Sequence, residues 1–187
     1  MLAGLALTAV SACSLRNVSC GIAPDPTGAA PAAPSTAPAE QPLGAAAPAF
    51  GISILGDSLT AGLGLLTQEA YPARLEEMFE AEGYDVAVVN FGLSGDTTAG
   101  GLRRVSEAIE PRTRILVVAL GGNDALRGLS AQQTYTNLAA IVDAALTRNV
   151  AVLVTGMQAP TNLGEDYQLA FRAAFDRLST EYARYVT

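Results

Sequence analysis

The sequence contains no histidine and no lysine, and these two absences exclude several kinds of chemistry. Without lysine there is no Ser-Lys dyad, no Schiff base and no phosphate-binding P-loop lysine. Without histidine, none of these residues supplies an imidazole as a general base. Zinc is not expected either, because two cysteines and no histidine give too few of its usual ligands.

Positive charge is also scarce. The chain has 11 basic residues against 18 acidic ones, which gives a formal net charge of −7, and the arginines form no basic cluster. Nucleic acid is therefore not an expected partner. At 187 residues the chain has room for one folded domain with a substantial core.

The two cysteines, Cys13 and Cys20, lie near the N-terminus. Residues 1–12 contain a short apolar run, too short to span a bilayer but typical of a signal peptide, although the usual basic leader is missing. The Val-Ser-Ala-Cys sequence ending at Cys13 resembles a bacterial lipobox, which predicts acylation of that cysteine. The alternative is an ordinary signal peptide followed by a chance cysteine.

Within residues 13–49, the segment 21–48 is rich in proline, alanine, serine and threonine and contains almost no large apolar side chain. Such a composition cannot bury enough surface to fold, so we predict a disordered tether. The folded domain is predicted to occupy residues 50–187.

Within that domain, short apolar strands alternate with amphipathic helices. Strands are predicted at 51–55, 86–91, 114–120 and 150–155, and 185–187 resemble the start of a fifth. Helical faces are predicted at Tyr71, Leu75, Met78 and Phe79; at Leu102, Val105 and Ile109; after Ser130, a predicted cap; and at Phe171, Phe175, Leu178 and Tyr182. This alternation predicts a parallel sheet covered by helices on both faces, a three-layer α/β/α fold.

Small polar turns follow the first three predicted strands: Gly56-Asp57-Ser58, Ser94-Gly95-Asp96-Thr97 and Gly121-Gly122-Asn123-Asp124. Singly, each has an ordinary explanation as a turn, and Asp96 or Thr97 can cap a helix. Ligands of open α/β sheets bind beyond the carboxyl ends of the strands. Because all three turns lie at such ends, we expect them to meet in one site.

These motifs, in this order, resemble the SGNH or GDSL-type hydrolases, and most closely the bacterial periplasmic thioesterase/lysophospholipase/arylesterase group. The resemblance runs from Phe50 to the C-terminus and includes Val89-Asn90 and Leu126-Arg127-Gly128. It implies a flavodoxin-like SGNH hydrolase fold over residues 50–187, and no cofactor or metal. The expected activity is hydrolysis of carboxylic esters or thioesters through an acyl-enzyme.

The resemblance also implies roles for individual residues. Ser58 is expected to be the nucleophile, while its backbone N–H, that of Gly95 and the Asn123 side chain form the oxyanion hole. Asp57 and Asp124 are interpreted as residues that hold their turns. Leu63, Leu65, Leu66, Leu126 and Leu129 are candidates for acyl-chain contact or for ordinary core. Arg127 is a candidate for contact with a polar head group, or else a solvated side chain.

The family's Asp-x-x-His motif, which completes the catalytic triad, has no counterpart here. We expect it a little beyond Thr187, and the fold given by these residues to lack its last strand and helix. The alternative is a pseudoenzyme that binds acyl chains without hydrolysing them. A second alternative activity within the same fold is carbohydrate O-deacetylation.

The expected partners are a small-molecule or lipid acyl ester and, through a lipid anchor at Cys13, a membrane. The expected location is the bacterial cell envelope, as a lipoprotein facing the periplasm, or outside the cell. The sequence does not determine the oligomeric state, and a monomer is assumed.

Overall fold

The computed structural model describes residues 50–183. The predicted signal peptide, the tether with Cys13 and Cys20, and the predicted strand at 185–187 lie outside the described residues. Among the described helices, none combines the length and apolar character needed to cross a bilayer.

Four strands and six helices alternate along the described chain. The strands are β1 (Phe50–Gly56), β2 (Val86–Gly92), β3 (Thr113–Ala119) and β4 (Ala151–Val154). The helices are α1 (Ser58–Ala61), α2 (Tyr71–Ala81), α3 (Thr98–Ala108), α4 (Gly122–Leu126), α5 (Ala131–Leu146) and α6 (Glu165–Glu181). Single 3₁₀ turns lie at Thr67–Glu69 and Thr161–Leu163.

The strands form one parallel sheet in the order β2-β1-β3-β4. Alternate residues of β1 and β3 enter two separate cores. Ile52 and Ile54 of β1 pack in a core with Leu75 and Phe79 of α2. Leu55 of β1 belongs to the larger core, which is built with side chains of α3, α5 and α6. The predicted α/β/α fold with a flavodoxin-like strand order is therefore confirmed.

Two details of the sequence interpretation were wrong. Tyr71 and Met78 were placed on the inner face of α2, but they are 41% and 65% exposed. The inward face of α2 is centred on Pro72, Leu75 and Phe79. Because an α-helix turns by about 100° per residue, Met78 lies at the edge of that face. The Gly121–Asp124 segment was predicted to be a turn, yet a short helix, α4, begins at Gly122.

The close approach of β2 to α1 at Gly92 can be tested by substitution. A Cβ at this position would lie 2.1 Å from the backbone N of Ala61 and 2.6 Å from its Cα, and backbone atoms cannot rotate away. Gly92→Ala should therefore destabilise the fold by about 2–3 kcal/mol, as measured by chemical denaturation. Gly156→Ala is the matched control, because nothing lies within 4 Å of its added Cβ. Equal stability of the two variants would contradict the close approach.

Candidate active site

The three polar turns lie side by side because the strands before them end level with one another. In the parallel register, Gly56 of β1 is paired with Gly92 of β2 on one side and with Ala119 of β3 on the other. The chain leaves all three strands in the same direction. The predicted convergence of the turns at one edge of the sheet thus follows from the register.

Ser58 is the first residue of α1 and is partly buried. Asp57 caps this helix, since its Oδ1 accepts a hydrogen bond from the backbone N–H of Leu59 at 3.0 Å. The preceding Gly56 has no room for a side chain, because a Cβ would lie 1.9 Å from Thr60 Oγ1. The turn that presents Ser58 is therefore closely packed on its inner side.

Polar contacts hold α1 against its neighbours. Asn90 Nδ2 donates to the carbonyl oxygen of Thr60 at 2.8 Å, which ties α1 to β2. The hydroxyls of Thr60 and Tyr71 lie 2.9 Å apart. Partial burial raises the pKa of the Tyr71 phenol, the contact with Thr60 opposes this, and the negative charge of Asp57 adds to the increase. Tyr71 therefore remains a neutral hydrogen-bonding partner at physiological pH.

Gly95 lies in the second turn with a φ of +78°, a conformation that favours glycine. This turn is joined to the first because the Leu93 N–H donates to the Gly56 carbonyl oxygen at 3.0 Å. Its helix cap is Thr97, which was one of the two predicted candidates: the Thr97 hydroxyl accepts from the N–H of Gly100.

Asn123, in α4, links the third turn to the other two. Its Nδ2 donates to the Asp96 carbonyl oxygen at 2.9 Å and to Asp57 Oδ2 at 3.3 Å. The opposite amide orientation would set the amide oxygen against two acceptors, so the nitrogen must face them. The amide of Asn123 is thus within hydrogen-bond distance of residues adjacent to both Ser58 and Gly95.

The two aspartates of these turns differ in their contacts. Asp124 is buried and accepts from the backbone N–H of Thr98 at 2.8 Å and from the hydroxyls of Thr98 and Thr134, which fixes α4 to α3 and α5. These contacts are those of a residue that holds its turn. Asp57 caps α1 but also touches the Asn123 amide, a contact that the sequence analysis missed.

The predicted substrate-contacting residues lie at the surface. Leu63 and Leu126 are 73% and 71% exposed, and Leu65, Leu66 and Leu129 are exposed as well, so their alternative assignment to the core is wrong. Arg127 is not simply solvated: its Nη2 donates to the Gly95 carbonyl oxygen at 2.8 Å. This contact turns the guanidinium towards the second turn.

Arg104 of α3 is a further residue at these turns that the sequence motifs did not indicate. Its guanidinium donates to the Asp96 carboxylate and to the carbonyl oxygens of Phe91 and Gly56. The only sequence indication was its position four residues after Gly100, on a helix face where glycines allow close packing.

Residues 54–187 match the GDSL-like Lipase/Acylhydrolase family. The chain is 40% identical to "Esterase TesA" of Pseudomonas aeruginosa over 129 residues, which cover 68% of this chain and 64% of that protein. It is 37% identical to "Thioesterase 1/protease 1/lysophospholipase L1" of Escherichia coli over 138 residues, 73% of this chain and 65% of that protein.

The fold is similar to that in the crystal structure of AlinE4, a SGNH-hydrolase family esterase. The TM-score is 0.70 at 39% identity, with 74% of this chain and 75% of that chain covered. Fold and turns together therefore define an α/β/α protein of the SGNH type. The chain belongs to the GDSL-like lipase/acylhydrolase family. It spans just under two thirds of the length of these two curated relatives.

Proposed function

We propose that the protein is a serine acyl-hydrolase that cleaves carboxylic esters or thioesters, with Ser58 as its nucleophile. The observation that carries the proposal is the position of the Asn123 amide. It contacts Asp57, next to Ser58, and the carbonyl of Asp96, next to Gly95. If Ser58 Oγ attacks the carbonyl carbon of a substrate, the carbonyl oxygen would lie close to the Asn123 amide.

The proposed reaction has two steps. Ser58 Oγ forms a bond to the acyl carbon, the bond from that carbon to the leaving oxygen or sulfur breaks, and the serine proton passes through a base to the leaving group. Water then attacks the acyl-enzyme, which releases the carboxylic acid and returns the proton to Ser58. The oxyanion of each tetrahedral intermediate is stabilised by the N–H groups of Ser58 and Gly95 and by the Asn123 amide.

Binding of the oxyanion requires a small change at Asn123. A side-chain amide has two N–H bonds, and both have acceptors, the Asp96 carbonyl at 2.9 Å and Asp57 Oδ2 at 3.3 Å. The longer bond is the weaker one. We infer that the oxyanion takes the N–H now directed at Asp57, while the bond to Asp96 keeps the amide in place.

The general base is not assigned to any of these 187 residues, because none is a histidine. A serine hydroxyl is a poor nucleophile without a base, so an imidazole from elsewhere, as in the Asp-x-x-His motif of the family, is part of the proposal. The described part of this chain provides the nucleophile and the oxyanion donors.

The proposed substrates are acyl esters with an apolar chain, either small molecules or lipids. Their support is the exposed leucines close to the site residues: Leu59 follows Ser58, Leu93 lies two residues before Gly95, and Leu126 lies three after Asn123. Exposed apolar side chains adjacent in sequence to the site residues favour an apolar ligand. Acylation of Cys13 and a location in the bacterial cell envelope complete the proposal.

The test is hydrolysis of p-nitrophenyl esters of increasing acyl length by the product of the complete native gene, together with fluorophosphonate labelling located by mass spectrometry. We expect turnover that persists beyond the acetyl ester and a label on Ser58. Activity that falls sharply after acetyl would instead indicate an O-deacetylase. Acyl-chain binding without turnover or label would indicate a non-catalytic protein and overturn the proposal.

A further inference from the structure

One guanidinium group, that of Arg104, connects the first two turns of the site. Arg104 Nη2 donates to the Gly56 carbonyl oxygen at 2.8 Å, and Nη1 donates to the Phe91 carbonyl oxygen at 2.6 Å. Its Nε donates to Asp96 Oδ2 at 2.7 Å, and its Nη2 also lies 2.7 Å from that oxygen, so the two side chains form an ion pair. Arginine suits this arrangement because its donors lie in one rigid plane.

The acceptors of Arg104 lie in the segments that carry the proposed site residues. Gly56 lies two residues before Ser58, and Phe91 is next to the last residue of β2. Asp96 follows Gly95, and its carbonyl oxygen holds the Asn123 amide. Movement of the guanidinium would therefore shift the nucleophile turn relative to the oxyanion donors.

The surroundings leave the Asp96 carboxylate little freedom. The side chains of Arg104 and Asp96 are only 17% and 7% exposed. A Cβ on Gly100 would lie 1.6 Å from Asp96 Oδ1, so the carboxylate rests directly against the backbone of α3. The ion pair is thus held between a helix and two turns, where solvent screening is weak.

We propose that Arg104 is a positioning residue for acyl transfer, which sets the distance from Ser58 to the oxyanion donors Gly95 and Asn123. The inference rests on the proposed function of those three residues. Arg104 does not contact the substrate. It acts through the Gly56 carbonyl on one side and through Asp96 on the other.

The experiment compares Arg104→Lys with Arg103→Lys in the product of the complete native gene. Arg103 is the adjacent residue of α3 and is exposed. Lysine at 104 keeps a positive charge for Asp96 but cannot reproduce the planar set of donors. We expect kcat to fall by on the order of 10- to 10²-fold in Arg104→Lys with KM within about twofold, because a misplaced reacting group affects mainly the chemical step. Arg103→Lys should match the unchanged protein.

A spectroscopic measurement separates this inference from the proposed function. In ¹⁵N-labelled protein, the Gly95 amide and the Asn123 side-chain amide should shift in Arg104→Lys and not in Arg103→Lys, whether or not the protein hydrolyses esters. If esters are not hydrolysed but both resonances shift, the proposed function fails and the positioning by Arg104 stands.

The inference is overturned if Arg104→Lys leaves kcat and both resonances unchanged. It is also overturned if the fall in kcat is fully explained by the fraction of the variant that is unfolded. Should Arg104→Lys fail to fold, the double variant Arg104→Met/Asp96→Asn removes both buried charges and is measured in the same way. Shifted resonances in that folded double variant support the inference, and unshifted ones overturn it.

Discussion

Replacement of Ser58 by alanine should lower the rate of ester hydrolysis by on the order of 10⁴-fold or more, because it removes the hydroxyl on which the proposed acyl-enzyme forms. Folding stability should change by less than about 1 kcal/mol, since Ser58 is partly exposed at the first position of a short helix and its cap is Asp57. The measurements are steady-state hydrolysis of a short-chain aryl ester and urea denaturation of the same preparations.

Ser106→Ala is the control for this variant, because Ser106 is an exposed serine of α3. It should retain full activity and fluorophosphonate labelling, whereas Ser58→Ala should show neither. Undiminished turnover in Ser58→Ala would show that Ser58 is not the nucleophile. A large loss of stability in the same variant would mean that the hydroxyl has a structural role that its surroundings do not show.

Much of the fold could be predicted because local patterns and tertiary packing agree in the central strands. β1 and β3 are almost continuous apolar runs between turns, and the predicted bounds differ from the observed ones by one residue at each end. The buried faces of the helices were harder to predict. Met78 satisfies the helical spacing of α2, but spacing does not say where the centre of the buried face lies, and packing against β1 and β2 places it on Leu75 and Phe79.

The site could be predicted only as far as its motifs extend. Three turns after three successive strands indicated one locus, and the register confirms that these strand ends are neighbours. Contacts between residues far apart in the sequence could not be predicted. Arg104 binds the carbonyl of a residue 48 positions away, and Asn123 binds a carboxylate 66 positions away. Nothing in the local sequence of either partner indicates such a pair.

Exposure was another quantity that the pattern could not provide. The leucines after β1 and around α4 are of a residue type that is common in protein cores. Only the structure shows that their side chains are exposed. Leu126 is an example: α4 has five residues, and Asp124 and Ala125 are its buried members. Leu126 at the end of α4 is 71% exposed.

Asn123→Ala should lower kcat by on the order of 10²-fold, equivalent to about 2.7 kcal/mol of transition-state stabilisation. In the proposed mechanism, the lost N–H acts on a negative charge that exists only in the tetrahedral intermediate and the transition states that flank it. KM should therefore change little. The measurement is the separate determination of kcat and KM with one aryl ester, and Asn162→Ala, at an exposed position, is the control that should leave both unchanged.

Asn123→Asp makes the same prediction more demanding. The substitution preserves size but sets a carboxylate oxygen against the Asp96 carbonyl and Asp57 Oδ2, where the amide nitrogen now donates at 2.9 and 3.3 Å. Because these acceptors then face another acceptor, we expect lower stability than in Asn123→Ala and at least an equal loss of kcat. If the aspartate variant were as active as the unchanged protein, the amide could not be the donor, and the oxyanion would have to be stabilised by the backbone N–H groups of Ser58 and Gly95 alone.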